Sequence, residues 1–419
     1  MRVDVRQRRK IKWLGSLSSP ASKFGEQAII SCERTSARRG DHLNPGSQPL
    51  SPAKAAFENQ EEQFARCFAL LREAIAQRAF PGAALAVTHR GSLVASQGFG
   101  RFTYDEDSPE VQADTVFDVA SLTKVIASTS VAMLLYDRHQ LPFDAPLADF
   151  LSEFVSLAPR HQQAAREKVT LRMLLAHSSG LPAYEKLSEF AISRAELLRA
   201  ALTTRQVAEP GTRAAYSDIG FILLGEVLAQ KADMPLDLFA RQEVFTPLGM
   251  TLTRYCPPIE WKPDIPPTED DRTFRKRIIQ GEVNDENAFV MGGVAGHAGV
   301  FASATDVARF AECMLQRGAG LFKPATVMIF TQRTASPPGT TRALGWDTPS
   351  ATESSSGRYF SSASFGHLGF TGTSLWIDPV RQLSVTLLTN RTWPDRASQA
   401  IRQVRPQVHD AIIEALQTE

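Results

Sequence analysis

Three residue types in this chain have the reactivity and the spacing for acyl-transfer chemistry. In Val116-Phe117-Asp118-Val119-Ala120-Ser121-Leu122-Thr123-Lys124 a hydroxyl and an amine stand three residues apart. On a helix, residues i and i+3 share a face, so the Lys124 amine can reach the Ser121 oxygen and help remove its proton. Ser121 is the candidate nucleophile, since an unassisted serine hydroxyl is a weak one at neutral pH. Farther along, Tyr216-Ser217-Asp218 offers a phenol just before a second apolar stretch. There Tyr216 can share a proton with Lys124, and an adjacent ammonium is expected to favour its phenolate form. The plainer reading of both segments is helix capping, by Ser121 in one and by Ser217 or Asp218 in the other. A second Ser-x-x-Lys, Ser51-Pro52-Ala53-Lys54, reads as a cap and first turn with proline at N1.

The elements that must hold these groups are legible from apolar periodicity. Val125 to Leu135 is apolar on nearly every face, the pattern of a helix buried within a domain, and burial would lower the lysine pKa. Residues 52–79 place Phe57, Phe64, Phe68, Leu71 and Ile75 at helical spacing, suited to a helix on a sheet. Ala83–Val87 and Leu93–Ser96, separated by His89-Arg90-Gly91, read as a hairpin, with a polar loop leading on to Ser121. Val169–Leu181 reads as a capped helix ending in a small-residue turn, where His177 ties down a loop or acts as a base. Ile219–Ala229 reads as a second largely apolar helix, and Ser303 as the cap of a helix over 306–316. Strands are expected in 365–379 and 383–390, and a closing amphipathic helix over 397–417. Residues 251–300 are rich in proline and glycine and break the pattern; Gly292–Gly299 is expected to line a pocket.

With 419 residues, 43% of them hydrophobic, the chain can bury a large core, and a net charge of +1 gives no reason to expect a polyanionic partner. Residues 1–50 carry a charge of +6 and lack the apolar run of a secretory signal; they are expected to be a disordered basic tail. Cys32, Cys67, Cys256 and Cys313 have neither zinc-ligand nor disulfide-framework spacing, and no apolar run approaches a membrane span. A metal site built on His177, His297 and His367 would lack any recognised ligand spacing, so no metal and no cofactor is called for.

Ser121-Leu122-Thr123-Lys124, Tyr216-Ser217-Asp218 and His367-Leu368-Gly369 follow one another in the order of the three motifs of the serine β-lactamase and penicillin-binding protein superfamily. Phe80-Pro81-Gly82, Leu175–Leu181 and Pro210-Gly211-Thr212 also resemble that family, over about residues 52–418. Within it the chain resembles a class C type serine hydrolase, on a branch related to penicillin-binding protein 4B and to esterase-like enzymes. The resemblance implies an α/β (α+β) fold of β-lactamase/transpeptidase type, a central antiparallel sheet flanked by helices plus an all-α lobe. Residues 51–419 would be the hydrolase domain, its α/β part at about 51–115 and 300–419 and its helical lobe and loops at about 116–299.

By the same resemblance Ser121 attacks a carbonyl, Lys124 and Tyr216 handle the proton, and the backbone N–H groups of Ser121 and Phe370 form the oxyanion hole. Asp218, His367 and Gly369 would contact substrate. Two departures bear on specificity: Asp218 replaces the usual asparagine, and His367-Leu368 replaces the usual lysine and hydroxyl residue that bind a substrate carboxylate. Penicillin hydrolysis is therefore expected to be inefficient, with esters or differently anchored peptides favoured. The implied partner is a small-molecule or peptide substrate, cell-wall fragments among them, with no nucleic acid. The alternatives are esterase-like or D-Ala-D-Ala carboxypeptidase-like specificity, or a non-catalytic penicillin-binding-type sensor. Family habit points to the periplasm, whereas the N-terminus as written does not; the oligomeric state is left open.

Overall fold

The computed structural model describes residues 59–417. The basic tail, the Ser51–Lys54 tetrad, Phe57 and Cys32 lie outside the described residues. Among the described residues there are ten strands: β1 (Gly82–His89), β2 (Ser92–Gly100), β3 (Val116–Asp118), β4 (Arg254–Tyr255), β5 (Glu269–Asp271), β6 (Arg277–Ile279), β7 (Val300–Ser303), β8 (Phe365–Leu368), β9 (Ser374–Asp378) and β10 (Leu383–Thr389). Five of them form an antiparallel sheet in the order β2-β1-β10-β9-β8.

Side chains alternate across a strand, so this sheet feeds two cores, one on each face. Ala83, Leu85 and Val87 face one side, with Val385, Leu387 and Trp376, against Phe68 and Leu71 of the helix Ala65–Ala76 and Val408 and Ile412 of the C-terminal helix Ile401–Gln417. Ala84, Ala86, Leu375, Ile377 and Leu388 face the other side, towards Phe310 of the helix Ala304–Leu315, Trp346 and the helical part of the chain. At roughly 1.5–3 kcal/mol for each large apolar side chain buried, these two layers fix the register of the sheet.

The long apolar helix of the sequence reading is a composite: a 3₁₀ turn Ala120–Leu122, a wide π-helical turn Lys124–Thr129, then the α-helix Ser130–Asp137. Similarly, the first amphipathic helix is broken at Phe64 into Gln60–Gln63 and Ala65–Ala76. Asp218–Ala232 is the second apolar helix, with Gly225 so close to Gly296 that an added Cβ would lie 2.8 Å from its Cα. Residues 251–300 are more regular than their composition suggests. β5 and β6 pair with each other, while β4 pairs with β7, which in turn pairs with β3. This second sheet, in the order β3-β7-β4, delivers the chain to Ser121. Among the described residues no helix is long and apolar enough to cross a membrane.

Candidate active site

β3 ends at Asp118, and the chain must then reverse into the 3₁₀ turn that carries Ser121. It does so through Ala120, whose φ of +48° lies in the left-handed region that a side chain disfavours. The buried Asp118 carboxylate compensates, accepting the Ala120 N–H at 2.8 Å on one oxygen and the Asn284 N–H at 2.7 Å on the other. Burial raises the Asp118 pKa to about 6, with these two N–H bonds opposing. Thr123 finishes the turn by accepting the Val300 N–H at 3.1 Å, and the Val119 N–H donates to Val300 O, so β7 holds both sides of Ser121.

Ser121 Oγ lies 2.9 Å from Lys124 Nζ and 2.6 Å from Tyr216 Oη. The π-helical turn buries Lys124 completely. Its Nζ also meets the His297 carbonyl at 3.0 Å and forms an ion pair with Asp218 Oδ1 at 2.6 Å. Burial pushes the ammonium pKa down, and the Asp218 carboxylate partly opposes it. As a neutral amine, Lys124 can give its two N–H groups to His297 O and Asp218 and keep its lone pair for the Ser121 hydroxyl.

Asp218 therefore sits against the lysine, a contact that a substrate-binding role alone does not describe. Ser217 is the helix cap: its Oγ accepts the Gly220 N–H at 3.1 Å and donates to Pro182 O at 2.6 Å. Tyr216 departs from expectation. Burial first, and then the Asp218 carboxylate, raise its phenol well above the ordinary value, so it is a neutral O–H donor rather than a phenolate. The lysine lies over its ring, 4.8 Å from the centroid. His177 holds the phenol from behind: its Nδ1 accepts the Ser217 N–H at 3.0 Å and its ring centroid lies 4.8 Å from that of Tyr216. Burial, then the positive charges of Arg342 and Lys124, push its pKa well below 6.5 and keep it neutral.

The third segment is the end of β8. His367 is buried, and its Nδ1–H donates to Leu368 O at 2.8 Å. Burial, then Lys124 and Arg342, hold its pKa well below 6.5. Its Nε2 has no hydrogen-bond partner among the described residues, so this wall offers an acceptor lone pair. Gly369 approaches Val119 closely; an added Cβ would lie 2.7 Å from Val119 O and 1.9 Å from Thr373 Oγ1. Behind it, Arg405 donates to Gly369 O and Thr373 O, and Arg391 Nε to Phe370 O at 2.7 Å. With these carbonyls engaged, the Phe370 N–H makes no hydrogen bond among the described residues.

Ser121, Tyr216, Asp218, His367, Gly369 and Phe370 thus line one cavity of about 1540 Å³, with Lys124 beneath it. Sequence reasoning gave no role to Asp118, Arg342, Arg391, Arg405 or Asp285, and weighed His297 only as a metal ligand. Arg342 lines the cavity, with its guanidinium 5.7 Å from the Tyr216 ring centroid and 3.5 Å from Asp347. His297 Nε2 lies 2.8 Å from Asp285 Oδ1, which fixes the loop whose carbonyl meets Lys124. Burial alone would raise Asp285, but His297 and the Ala288 N–H bring it to about 2. An acid isolated in an apolar run, as Asp118 is, was the one available signal, because an unpaired buried carboxylate is costly. Among the described residues no three His, Cys, Asp or Glu side chains are grouped to hold a metal.

The Beta-lactamase family model matches residues 68–408. The chain is 32% identical over 344 residues to the N-acetylmuramyl-L-alanine amidase of Bacillus subtilis (strain 168), covering 74% of this chain and 77% of that one. It is 31% identical over 333 residues to a putative D-alanyl-D-alanine carboxypeptidase of Escherichia coli (strain K12), covering 73% and 76%. Among solved structures it is similar to EstCE1, a hydrolase with promiscuous acyltransferase activity (TM-score 0.69, 20% identity, 84% of this chain and 99% of that one). It is also similar to the octameric penicillin-binding protein homologue from Pyrococcus abyssi (TM-score 0.64, 19% identity, 84% and 77%). At that identity the two structures speak for the fold.

Proposed function

Because the chain belongs to the Beta-lactamase family and is a serine hydrolase of that family, we propose that it cleaves an amide or ester carbonyl of a small peptide-like substrate through an acyl-enzyme on Ser121. The observation that carries this reading is the placement of Ser121 Oγ, 2.9 Å from a buried lysine amine and 2.6 Å from a tyrosine hydroxyl.

The steps follow from the groups present. Ser121 Oγ attacks the carbonyl carbon while its proton passes to the Lys124 lone pair. The carbonyl oxygen becomes an oxyanion between the N–H groups of Ser121 and Phe370, and loss of one such donor costs about 2.7–4 kcal/mol in characterised enzymes. Collapse breaks the bond to the leaving amine or alcohol, which takes a proton from the Tyr216 hydroxyl; Tyr216 is recharged from Lys124. Water then attacks the acyl carbon with Lys124 as base, releasing the acid and restoring Ser121. We assign this machinery to residues 51–419 as one hydrolase domain.

Two relatives named for cell-wall amide chemistry support a peptidoglycan-derived peptide as substrate. A second reading, ester hydrolysis, is favoured by the wall at His367-Leu368, where a neutral acceptor and an apolar side chain replace a cation and a hydroxyl. A panel containing a D-alanyl-D-alanine peptide, a muramyl peptide, p-nitrophenyl acetate and benzylpenicillin tests both. We expect turnover of an amide or ester above that of penicillin, and its loss in Ser121→Ala with the circular dichroism unchanged. Full activity in that variant would reject the reading.

A further inference from the structure

The cavity continues past Phe370 towards the start of the C-terminal helix, where three of its arginines lack a carboxylate partner among the described residues. Along the rest of the wall, basic groups meet acids: Lys124 with Asp218, Arg342 with Asp347, Arg358 with Asp410, and Arg396 with Glu269 and Glu286. Arg391, Arg402 and Arg405 also line the cavity, and none of them forms an ion pair among the described residues. Glu353, on the exposed rim, is the one lining acid without an ion-pair partner among the described residues.

Arg405 is 95% removed from solvent, at 5% exposure, and its Nε has no hydrogen-bond partner among the described residues. An unpartnered buried guanidinium N–H is costly, and isolated cations are rarely kept in such a place without an anion to meet. Burial first, and then the charges of Arg391 and Arg402, depress the Arg405 pKa to about 9. Phe370, 47% exposed and covered on one side by the Arg391 guanidinium at 4.6 Å, gives this end of the cavity an apolar surface for an organic body. That combination fits a substrate carrying its own anion better than a free inorganic one.

We propose that Arg391, Arg402 and Arg405 form an anion subsite beyond Phe370 that takes a carboxylate on the part of the substrate remote from the cleaved bond. The substrate class is thereby an acidic peptide or acyl compound. The inference rests on Ser121 as the nucleophile, because the same cavity joins the two. Arg391 and Arg405 also hold the carbonyls of the turn at Phe370, so replacing them would disturb the oxyanion donor. Arg402 is exposed and makes no such bond, which makes it the residue to change.

The test uses mono-p-nitrophenyl esters of straight-chain dicarboxylic acids, from succinic to sebacic, each against its methyl-capped counterpart. A charge-assisted contact predicts that at one chain length the wild type favours the free acid by about tenfold in kcat/KM. In Arg402→Gln that ratio should fall to about one. No preference at any length, an equal preference at all lengths, or a ratio unchanged in Arg402→Gln overturns the proposal. If the wild type hydrolyses neither series, the nucleophile reading fails, and calorimetric titration of Ser121→Ala with the same diacids decides the subsite. Binding that Arg402→Gln abolishes supports it; absence of binding rejects it.

Discussion

Replacing Asp218 by asparagine keeps the shape of the side chain and removes one charge, 2.6 Å from the Lys124 nitrogen. At that distance Coulomb's law with an effective dielectric of about 20 gives roughly 6 kcal/mol, an upper limit for the lost attraction. Opposite charges in such proximity shift pKa values by about 1–3 units in proteins, and that is the change we expect for Lys124 in Asp218→Asn. The sign follows directly. The carboxylate favours the ammonium, so its removal lets the amine lose its proton at lower pH. The Tyr216 phenol, held up partly by the same carboxylate, moves down too. The assay is kcat/KM for p-nitrophenyl acetate from about pH 5 to about pH 10, whose acid limb reports the base of the free enzyme. In Asp218→Asn that limb should move about 1–3 units towards acid. A limb that stays in place while KM alone changes would mean that Asp218 serves substrate only, and a limb that moves towards alkali would refute Lys124 as the base.

Other substitutions separate the supports of the site. Asp118, raised from 3.8 to about 6 in the folded protein, takes up its proton before the unfolded chain does. Its contribution is therefore full below about pH 4 and lost as pH rises through about 6, amounting to about 3 kcal/mol, so urea unfolding of wild type and Asp118→Asn should diverge by that much over this range; parallel curves would reject it. Gly369→Ala should lower kcat/KM about a hundredfold, because the added methyl meets Val119 O and Thr373 Oγ1 and moves β8 off the nucleophile; steady-state kinetics beside a thermal melt would check this, and wild-type activity would contradict it. His177→Ala removes the acceptor of the buried Ser217 N–H and should cost about 1–3 kcal/mol in urea unfolding and lower kcat. Unchanged stability would contradict that. Because His177 is neutral well above its depressed pKa, the wild-type rate should show no titration from this residue near pH 7.

The sequence made the candidate reacting side chains legible because each lies in a short segment at a recognisable element boundary. Ser121 and Lys124 are three residues apart, Tyr216 precedes a capped helix, and His367 lies near the end of a strand; the structure brings Ser121, Tyr216 and His367 to one cavity with Lys124 beneath it. The sheet was legible as well, from the short apolar and β-branched runs of β1, β9 and β10 bounded by turn residues. What stayed hidden has physical causes. β3, β4 and β7 are two to four residues long, too short for a period to show, yet they aim the nucleophile. The third partner of Lys124 is the carbonyl of His297, and a backbone atom leaves no mark in residue type. The expected Tyr216 phenolate failed because the sequence showed the cation and hid both the burial and the Asp218 carboxylate beside it. Arg405 and Arg391 carry no signal of burial in their residue type, yet both are buried under the turn at Phe370.

The claim on which the rest depends is the covalent bond to Ser121. Intact-mass spectrometry of wild type and Ser121→Ala, incubated with p-nitrophenyl acetate and separately with a fluorescent penicillin, and followed by peptide mapping, measures it directly. The account predicts a single acyl adduct on wild type, mapped to the peptide that contains Ser121, and none on Ser121→Ala. An adduct of equal yield on the variant, or turnover by wild type with the adduct on another residue, would contradict it.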